Sequence, residues 1–377
     1  MKTAAGVASI VLGLLATSAL AKPARLSDAQ LSQIVAGTQF AVINEISDTN
    51  TEGVNAPDPL LVNAWGLSEA PDGGPLWVAN NGTGTTTLYN FQNFSKIPLN
   101  VTIPGPHGAT GTPTGTVFTS LTGNTFEIDR NGVPTHSLFL FDSEDGTISG
   151  WAPSIALNKT FVVVNQSTVG ASFKGLAIAG ANTTAPTLFA ADFTQNKVEM
   201  FDSTFHKVGA FTDPSLPAGY APFNVQVLGD KVYVAFAMRG SGIDEVDGAG
   251  LGFVDVFSTT GHKLSTLVSG GPLNAPWGLT IAPADFGQFK GALLVGNFGD
   301  GTINAFDPTT GKFLGRVTSR GNAPITIDGL WALRSGPDGT VIFSSGPDSE
   351  AHGLVGVIAP ANAKASWAFQ AHVMTGH

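Results

Sequence analysis

Short apolar runs set off by Gly, Pro, Asn and Asp recur along the chain, and the clearest set spans residues 274–317. There NAPWGLTIA leads to the apolar run Ala292 to Val295. TINAF follows a Gly/Asp turn, and KFLGRV follows Asp307-Pro308-Thr309-Thr310-Gly311. Apolar or alternating runs of about five residues between such turn formers predict strands joined as hairpins. Four antiparallel strands in about fifty residues make one propeller blade. Five further units open in the same way, on Asn63-Ala64-Trp65-Gly66-Leu67, Pro113 to Phe118, Phe173 to Ile178, Ala221 to Val225 and Asp328 to Leu333. Taking Gly66, Gly115, Gly175, Asn224, Gly278 and Ala332 as equivalent positions, the steps are 49, 60, 49, 54 and 54 residues. Six strand-rich units of that period predict an all-β, six-bladed β-propeller. A seven-bladed ring with a degenerate blade is an alternative; a β-sandwich is disfavoured by the repeat.

The pattern divides the chain into four parts. Residues 1–21 read as a signal peptide, with Lys2 as its positive region, Ala4 to Leu15 as its apolar run and Ala19-Leu20-Ala21 as the cleavage site. Residues 22–47 form an N-terminal segment with a short helix over Leu26 to Val35, N-capped by Ser27, and an alternating strand over Phe40 to Ile46. That strand is placed to join the last blade and close the ring. Residues 48–360 make the propeller and 361–377 a tail.

Composition supports this picture. With 47 Gly, 23 Pro and only 12% charged residues, the chain suits many short strands rather than long surface helices. The absence of cysteine excludes disulfides, a thiol nucleophile and thiolate metal sites. A net charge of −10 argues against nucleic acid and anionic membranes as partners. Export predicts an extracellular location, with no membrane span once the signal is removed. The N-x-S/T sequons at Asn81, Asn93, Asn100, Asn158, Asn165 and Asn182 are glycosylation acceptors in a eukaryotic secretory pathway.

The units FGDGTINAFDPTTGKFLG and TQNKVEMFDSTFHKV resemble NHL repeats. VNAWGL, LWVANNGTGTTTLYN, SGGPLNAPWGL and LLVGNFGDGTINAFDPTTG are similar to strings in a family of secreted NHL-like propellers, known mainly as conserved hypothetical proteins. The resemblance implies a propeller and export, and it transfers no activity, ligand or catalytic residue. Gluconolactonase- and regucalcin-type propellers are similar in outline and hold a divalent metal at the channel with a Glu, Asn and Asp set.

Chemistry concentrates at one predicted mouth of the channel. Asn63, Asn224, Asn274 and Asp328 sit at or near first-strand starts, and Asn80, Asp192 and Asn297 follow second strands. Loops between second and third strands add Glu144, Asp145, Asp244, Glu245, Asp247, Asp300, Asp348, Glu350 and His352. Oxygen donors of this kind suit Ca²⁺ or another divalent cation, and equally suit turns at strand ends. The ligand and metal candidates are Asn63, Asp192, Asn224, Asn274, Asn297 and Asp328. Trp65, Trp277 and Trp331 recur on first strands, either as stacking surface in the channel or as blade packing. The acidic stretch Met238 to Leu251 reads as a solvated loop.

No HExxH, G-x-S-x-G, P-loop or dinucleotide fingerprint occurs. The leading expectation is therefore a secreted binding or scaffold module for an extracellular ligand or cell-surface partner. A lactonase-like, metal-dependent hydrolase at the acidic mouth is the alternative. A sugar-active enzyme, suggested by the Trp set, is the third.

Overall fold

The computed structural model describes residues 40–360 apart from 51–54, 72 and 320–321. The signal peptide, the short helix over Leu26 to Val35 and the tail from 361 onward lie outside the described residues.

Strand β1 (Phe40–Ser47) precedes the repeats. Blade 1 comprises β2 (Ala64–Glu69), β3 (Leu76–Asn80), β4 (Thr85–Tyr89) and β5 (Lys96–Thr102). Blade 2 runs β6 (Pro113–Phe118), β9 (Phe139–Ser143), β10 (Thr147–Trp151) and β11 (Phe161–Asn165), with an inserted hairpin β7 (Glu127–Arg130) and β8 (Val133–His136). Blade 3 has β12 (Phe173–Ala179), β13 (Thr187–Asp192), β14 (Lys197–Phe201) and β15 (Lys207–Phe211). Blade 4 has β16 (Tyr220–Leu228), β17 (Lys231–Arg239), a short β18 (Glu245–Val246), β19 (Phe253–Ser258) and β20 (Lys263–Ser269). Blade 5 has β21 (Pro276–Ile281), β22 (Leu293–Asn297), β23 (Ile303–Phe306) and β24 (Phe313–Arg316). Blade 6 is built from β25 (Leu330–Ser335), β26 (Val341–Ser345) and β27 (Leu354–Pro360), and β1 supplies its outer strand.

The closure is antiparallel, from Phe40 opposite Pro360 to Ser47 opposite Leu354. Residues 40–47 are thus part of the ring, and β27 is left without a free edge. Helical structure among the described residues is confined to single 3-10 turns.

Sequence explains the layering within each blade. Second strands such as LWVAN, TLFAAD and LLVGN are almost wholly buried, because blades cover both of their faces. The outer strand β5, KIPLNVT, alternates exposed and covered positions, with one face to solvent. Hydrophobic clusters fill the seams between successive blades. In the seam between blades 1 and 2, for example, Trp77 stacks on Phe139 at 4.3 Å between ring centroids.

The innermost strands carry the feature that shapes the axis. In all six, the register with the second strand slips near the first-strand start, between Ala64 and Leu67, Pro113 and Thr116, Phe173 and Leu176, Pro222 and Asn224, Pro276 and Gly278, and Leu330 and Leu333. Such a bulge re-aims the residue within it. The residues there are Trp65, Thr114, Lys174, Phe223, Trp277 and Trp331, all buried. A small residue follows most of them, for a steric reason: a Cβ on Gly66 would stand 2.5 Å from Thr114 O, and one on Gly175 2.1 Å from Asn224 Oδ1. Neighbouring first strands could not approach this closely with a side chain between them.

Candidate functional site

The bulge residues close the channel. Trp65 stacks on Trp331 with centroids 3.4 Å apart, and Trp277 meets both edge-on at 5.9 and 5.8 Å. Phe298 stacks on Trp331 at 4.1 Å, and Phe223 packs beside it at 5.9 Å. The three tryptophans therefore turn inward, yet they bury one another rather than offering a free stacking face. The N–H groups of two of them help fix the cluster. Trp331 Nε1 donates to Asn63 Oδ1 (2.9 Å) and Trp277 Nε1 to the Lys174 carbonyl (2.9 Å).

Lys174 is the one cation among these bulge residues. It is only 2% exposed, and its ammonium lies 5.3 Å from the Trp65 ring centroid and 5.9 Å from that of Phe193. An ammonium held in such a place needs a counter-charge. Glu144, in the turn between β9 and β10 of blade 2, supplies it at 2.5 Å. The other oxygen of Glu144 accepts from Asn81 Nδ2 of blade 1 at 2.8 Å.

Two more glutamates lie within electrostatic reach of this pair. The excursion after β17 folds back on the mouth because β18 pairs with the end of that strand, Val246 opposite Met238 and Glu245 opposite Arg239. Residues 238–251 are therefore more than a solvated loop. Burial pushes the Glu245 carboxyl up, the charges of Glu144 and Asp244 add to this, and Lys174 partly offsets it. Glu350 arrives from the β26–β27 turn of blade 6. Its carboxyl is raised to about 7, first by burial and then by the charges of Glu245 and Glu144.

The turn that delivers Glu350 is unusual. Asp348, Ser349 and Glu350 have φ of +57°, +52° and +67°, a run of left-handed residues without a glycine. Each costs on the order of 1 kcal/mol or more unless its surroundings hold it. Here Asp328 Oδ2 accepts from Asp348 N (2.8 Å), Glu350 N donates to Gly346 O (3.1 Å), and His352 Nδ1 pairs with Asp48 Oδ2 (2.8 Å). The mouth thus holds one buried lysine from blade 3 in contact with Glu144 of blade 2, and the charges of Glu245 of blade 4 and Glu350 of blade 6 reach the pair. Carboxylates are in excess, which suits a cationic group in a ligand.

The six residues picked out from the sequence have other employment. Asn63 holds Trp331. Asn224 lies within β16, where its Nδ2 donates to Trp277 O (2.7 Å) and its Oδ1 accepts from Val225 N (2.8 Å). Asn274 Oδ1 accepts from Gly248 N at 2.6 Å. Asn297 is fully buried and donates to Pro272 O at 2.8 Å. Asp192 Oδ1 accepts from Ser172 N, Thr194 Oγ1 and Gln195 N, and burial raises its carboxyl. Asp328 is exposed and serves the Glu350 turn.

Most oxygens of this set already accept from N–H groups, while Asp192 Oδ2 and Asn297 Oδ1 are buried without a hydrogen-bond partner among the described residues. Among the described residues, no three His, Asp or Glu side chains come together as a group able to hold a metal ion. Lys174 leaves only a faint mark in the sequence: a lysine stands where most of the repeats carry Trp or Phe.

Of the sequon asparagines, Asn100, Asn158, Asn165 and Asn182 are exposed on blades 1 to 3, whereas Asn81 and Asn93 are half-buried. Among the described residues, no helix is long and apolar enough to cross a membrane.

No family model matches the chain. Among solved structures, a chain of the COPII outer coat vertex on membranes is similar in fold alone. Its TM-score is 0.53 at 12% identity, over 84% of this chain and 76% of that one. Two proteins of Acanthamoeba polyphaga mimivirus are similar in sequence, both called uncharacterized. R648 is 34% identical over 330 residues, 84% of this chain and 79% of its own length. L690 is 33% identical over 314 residues, 79% of this chain and 80% of its own length. The chain belongs to the family of the mimivirus proteins R648 and L690.

Proposed function

We propose that the protein is a secreted, NHL-like binding or scaffold module whose partner presents a cationic group to the mouth around Lys174. The observation that carries this reading is the buried Lys174–Glu144 pair, with Glu245 and Glu350 from two further blades within electrostatic reach of it. A plugged channel does not pass a substrate through the ring, so its mouths and loops are what it presents to a partner. Left-handed backbone at Asp348 to Glu350 is strain of the kind that gathers at ligand sites. A lysine or arginine side chain, or a primary amine, would meet the excess carboxylate and displace the proton that burial favours on Glu350.

Export is supported by the N-terminal pattern of Lys2, the apolar run and Ala19-Leu20-Ala21. The NHL-like assignment rests on the V-x-V-F-D-like strings within the blades. Glycosylation is supported by four sequon asparagines exposed on one sector.

The test is binding of fluorescently labelled Lys/Arg-rich and Asp/Glu-rich peptides of equal length, followed by anisotropy. Preferential binding of the basic peptide, weakened by salt, is expected. Equal binding of both, or of neither, would contradict the reading.

A further inference from the structure

We infer that the opposite mouth of the channel is a second binding site, for a neutral polyhydroxylated molecule the size of one monosaccharide. It is independent of the site around Lys174, because the tryptophan plug lies between them. The C-terminal halves of the first strands enclose a cavity of about 280 Å³ there. That is near the lower end of the range for small-molecule pockets, roughly 300–1,000 Å³. It has room for one six-membered ring, not for a chain.

The wall chemistry selects the ligand class. Glu69 of β2 and Arg334 of β25 form an ion pair at 2.9 Å across the seam between blades 1 and 6. The pair leaves the cavity close to neutral, so neither an anion nor a cation gains from entering. Yet each partner has hydrogen-bonding capacity left over. Arg334 Nε, a donor, and Glu69 Oε2, an acceptor, are both buried and have no partner among the described residues. Buried polar atoms left unpaired are costly and point to a missing partner.

Gln226 of β16 and Thr280 of β21 also line the cavity, and the half-buried Val227 and Leu228 add apolar surface. A hydroxyl both donates and accepts. Adjacent hydroxyls on one ring can therefore satisfy Arg334 Nε–H and Glu69 Oε2 together, with the ring's C–H face against the apolar side. All of these groups stand on first strands, each hydrogen-bonded to its second strand, so the site is built on the ring's framework.

The test is saturation-transfer NMR on the intact protein, with methyl α-D-glucoside, D-galactose, D-mannose and myo-inositol as probes and glycine and glutamate as comparators. Transfer to at least one polyol and to neither amino acid is expected. Glu69→Gln and Gln226→Leu should each weaken that polyol by tenfold or more, with basic-peptide binding at the other mouth unchanged. Gln226→Leu stands in if Glu69→Gln loses its fold. Transfer to the amino acids alone, or to no probe at all, would overturn the ligand class. Polyol binding that survives both substitutions would overturn the location.

Discussion

Lys174 Nζ and Glu144 Oε1, on blades 3 and 2, stand 2.5 Å apart at the axis of the ring. Both side chains are largely buried, so each is the other's main compensation for leaving water. Removing one strands the other. Lys174→Met should cost about 3 kcal/mol or more in chemical denaturation, and Lys174→Met combined with Glu144→Gln clearly less than the sum of the two single changes. Additive losses would mean that the pair does not act as a unit.

The plug predicts a second hierarchy. Trp331→Ala removes a fully buried ring that stacks on both Trp65 and Phe298, and should destabilise by about 3–5 kcal/mol. Asn63→Ala leaves Trp331 Nε1 without its acceptor and should cost about 1–3 kcal/mol. Urea titrations of the two variants test the order. A milder effect at Trp331 than at Asn63 would argue against a packed axis.

Stability should fall as pH rises from about 5 to about 8. Burial raises Glu45 to about 8 and Asp142 to about 7, and Asp255, buried beside Asp213, also to about 7. The unfolded chain gives up these protons at lower pH than the folded one, so in this window folding binds protons and is opposed by their removal. Asp213 works in the other direction. Its carboxyl is held low by Lys263, so its contribution is present above the unfolded value near 4 and is lost below it. Asp142→Asn is the sharpest check. Asp142 Oδ1 accepts from Thr114 Oγ1 (2.8 Å) and Gly115 N (2.6 Å), while Oδ2 is buried without a partner among the described residues. The amide keeps the acceptor and removes the titration, so melting between pH 5 and pH 8 should flatten. An unchanged slope would remove Asp142 from the explanation.

Glycosylation should follow exposure. Secreted from a eukaryotic host, the protein should carry glycans at Asn100, Asn158, Asn165 and Asn182 and little at Asn81, whose amide is committed to Glu144. Glycopeptide mass spectrometry reads each site. Full occupancy at Asn81 would mean that its bond to Glu144 forms too late or too weakly to protect it.

Much of the ring was legible because each blade repeats two strong signals. A wholly apolar second strand such as LLVGN and a first strand such as AWGL or PWGL identify a unit without knowledge of its neighbours. The alternation over Phe40 to Ile46 was visible for the same reason, and β1 occupies that stretch. The hairpin of β7 and β8 was not read, although Asn131-Gly132 at its tip, with φ of +57° and +77°, is a strong turn signal. Its flanks, EIDR and VPTH, bury little beyond Ile128, so no apolar pattern announced them.

The mouth was half legible. Topology alone places Glu144, Glu245 and Glu350 at one end of the ring, since all lie between second and third strands. Their approach to Lys174 depends on a bulge in β12, on β18 folding back, and on a left-handed turn, none of which leaves a periodic trace. Asn and Asp at strand ends drew attention as ligands, but backbone N–H groups near the bulges and turns claim most of their oxygens first.

The most direct measurement is the affinity of a labelled Lys/Arg-rich peptide for the wild-type protein and for Glu245→Gln/Glu350→Gln, at low and at physiological salt. A cation-selective mouth predicts at least tenfold weaker binding by the double variant, with an unchanged melting temperature and a shallower dependence on salt. Equal affinity for the two proteins would contradict it and move the binding surface away from Lys174.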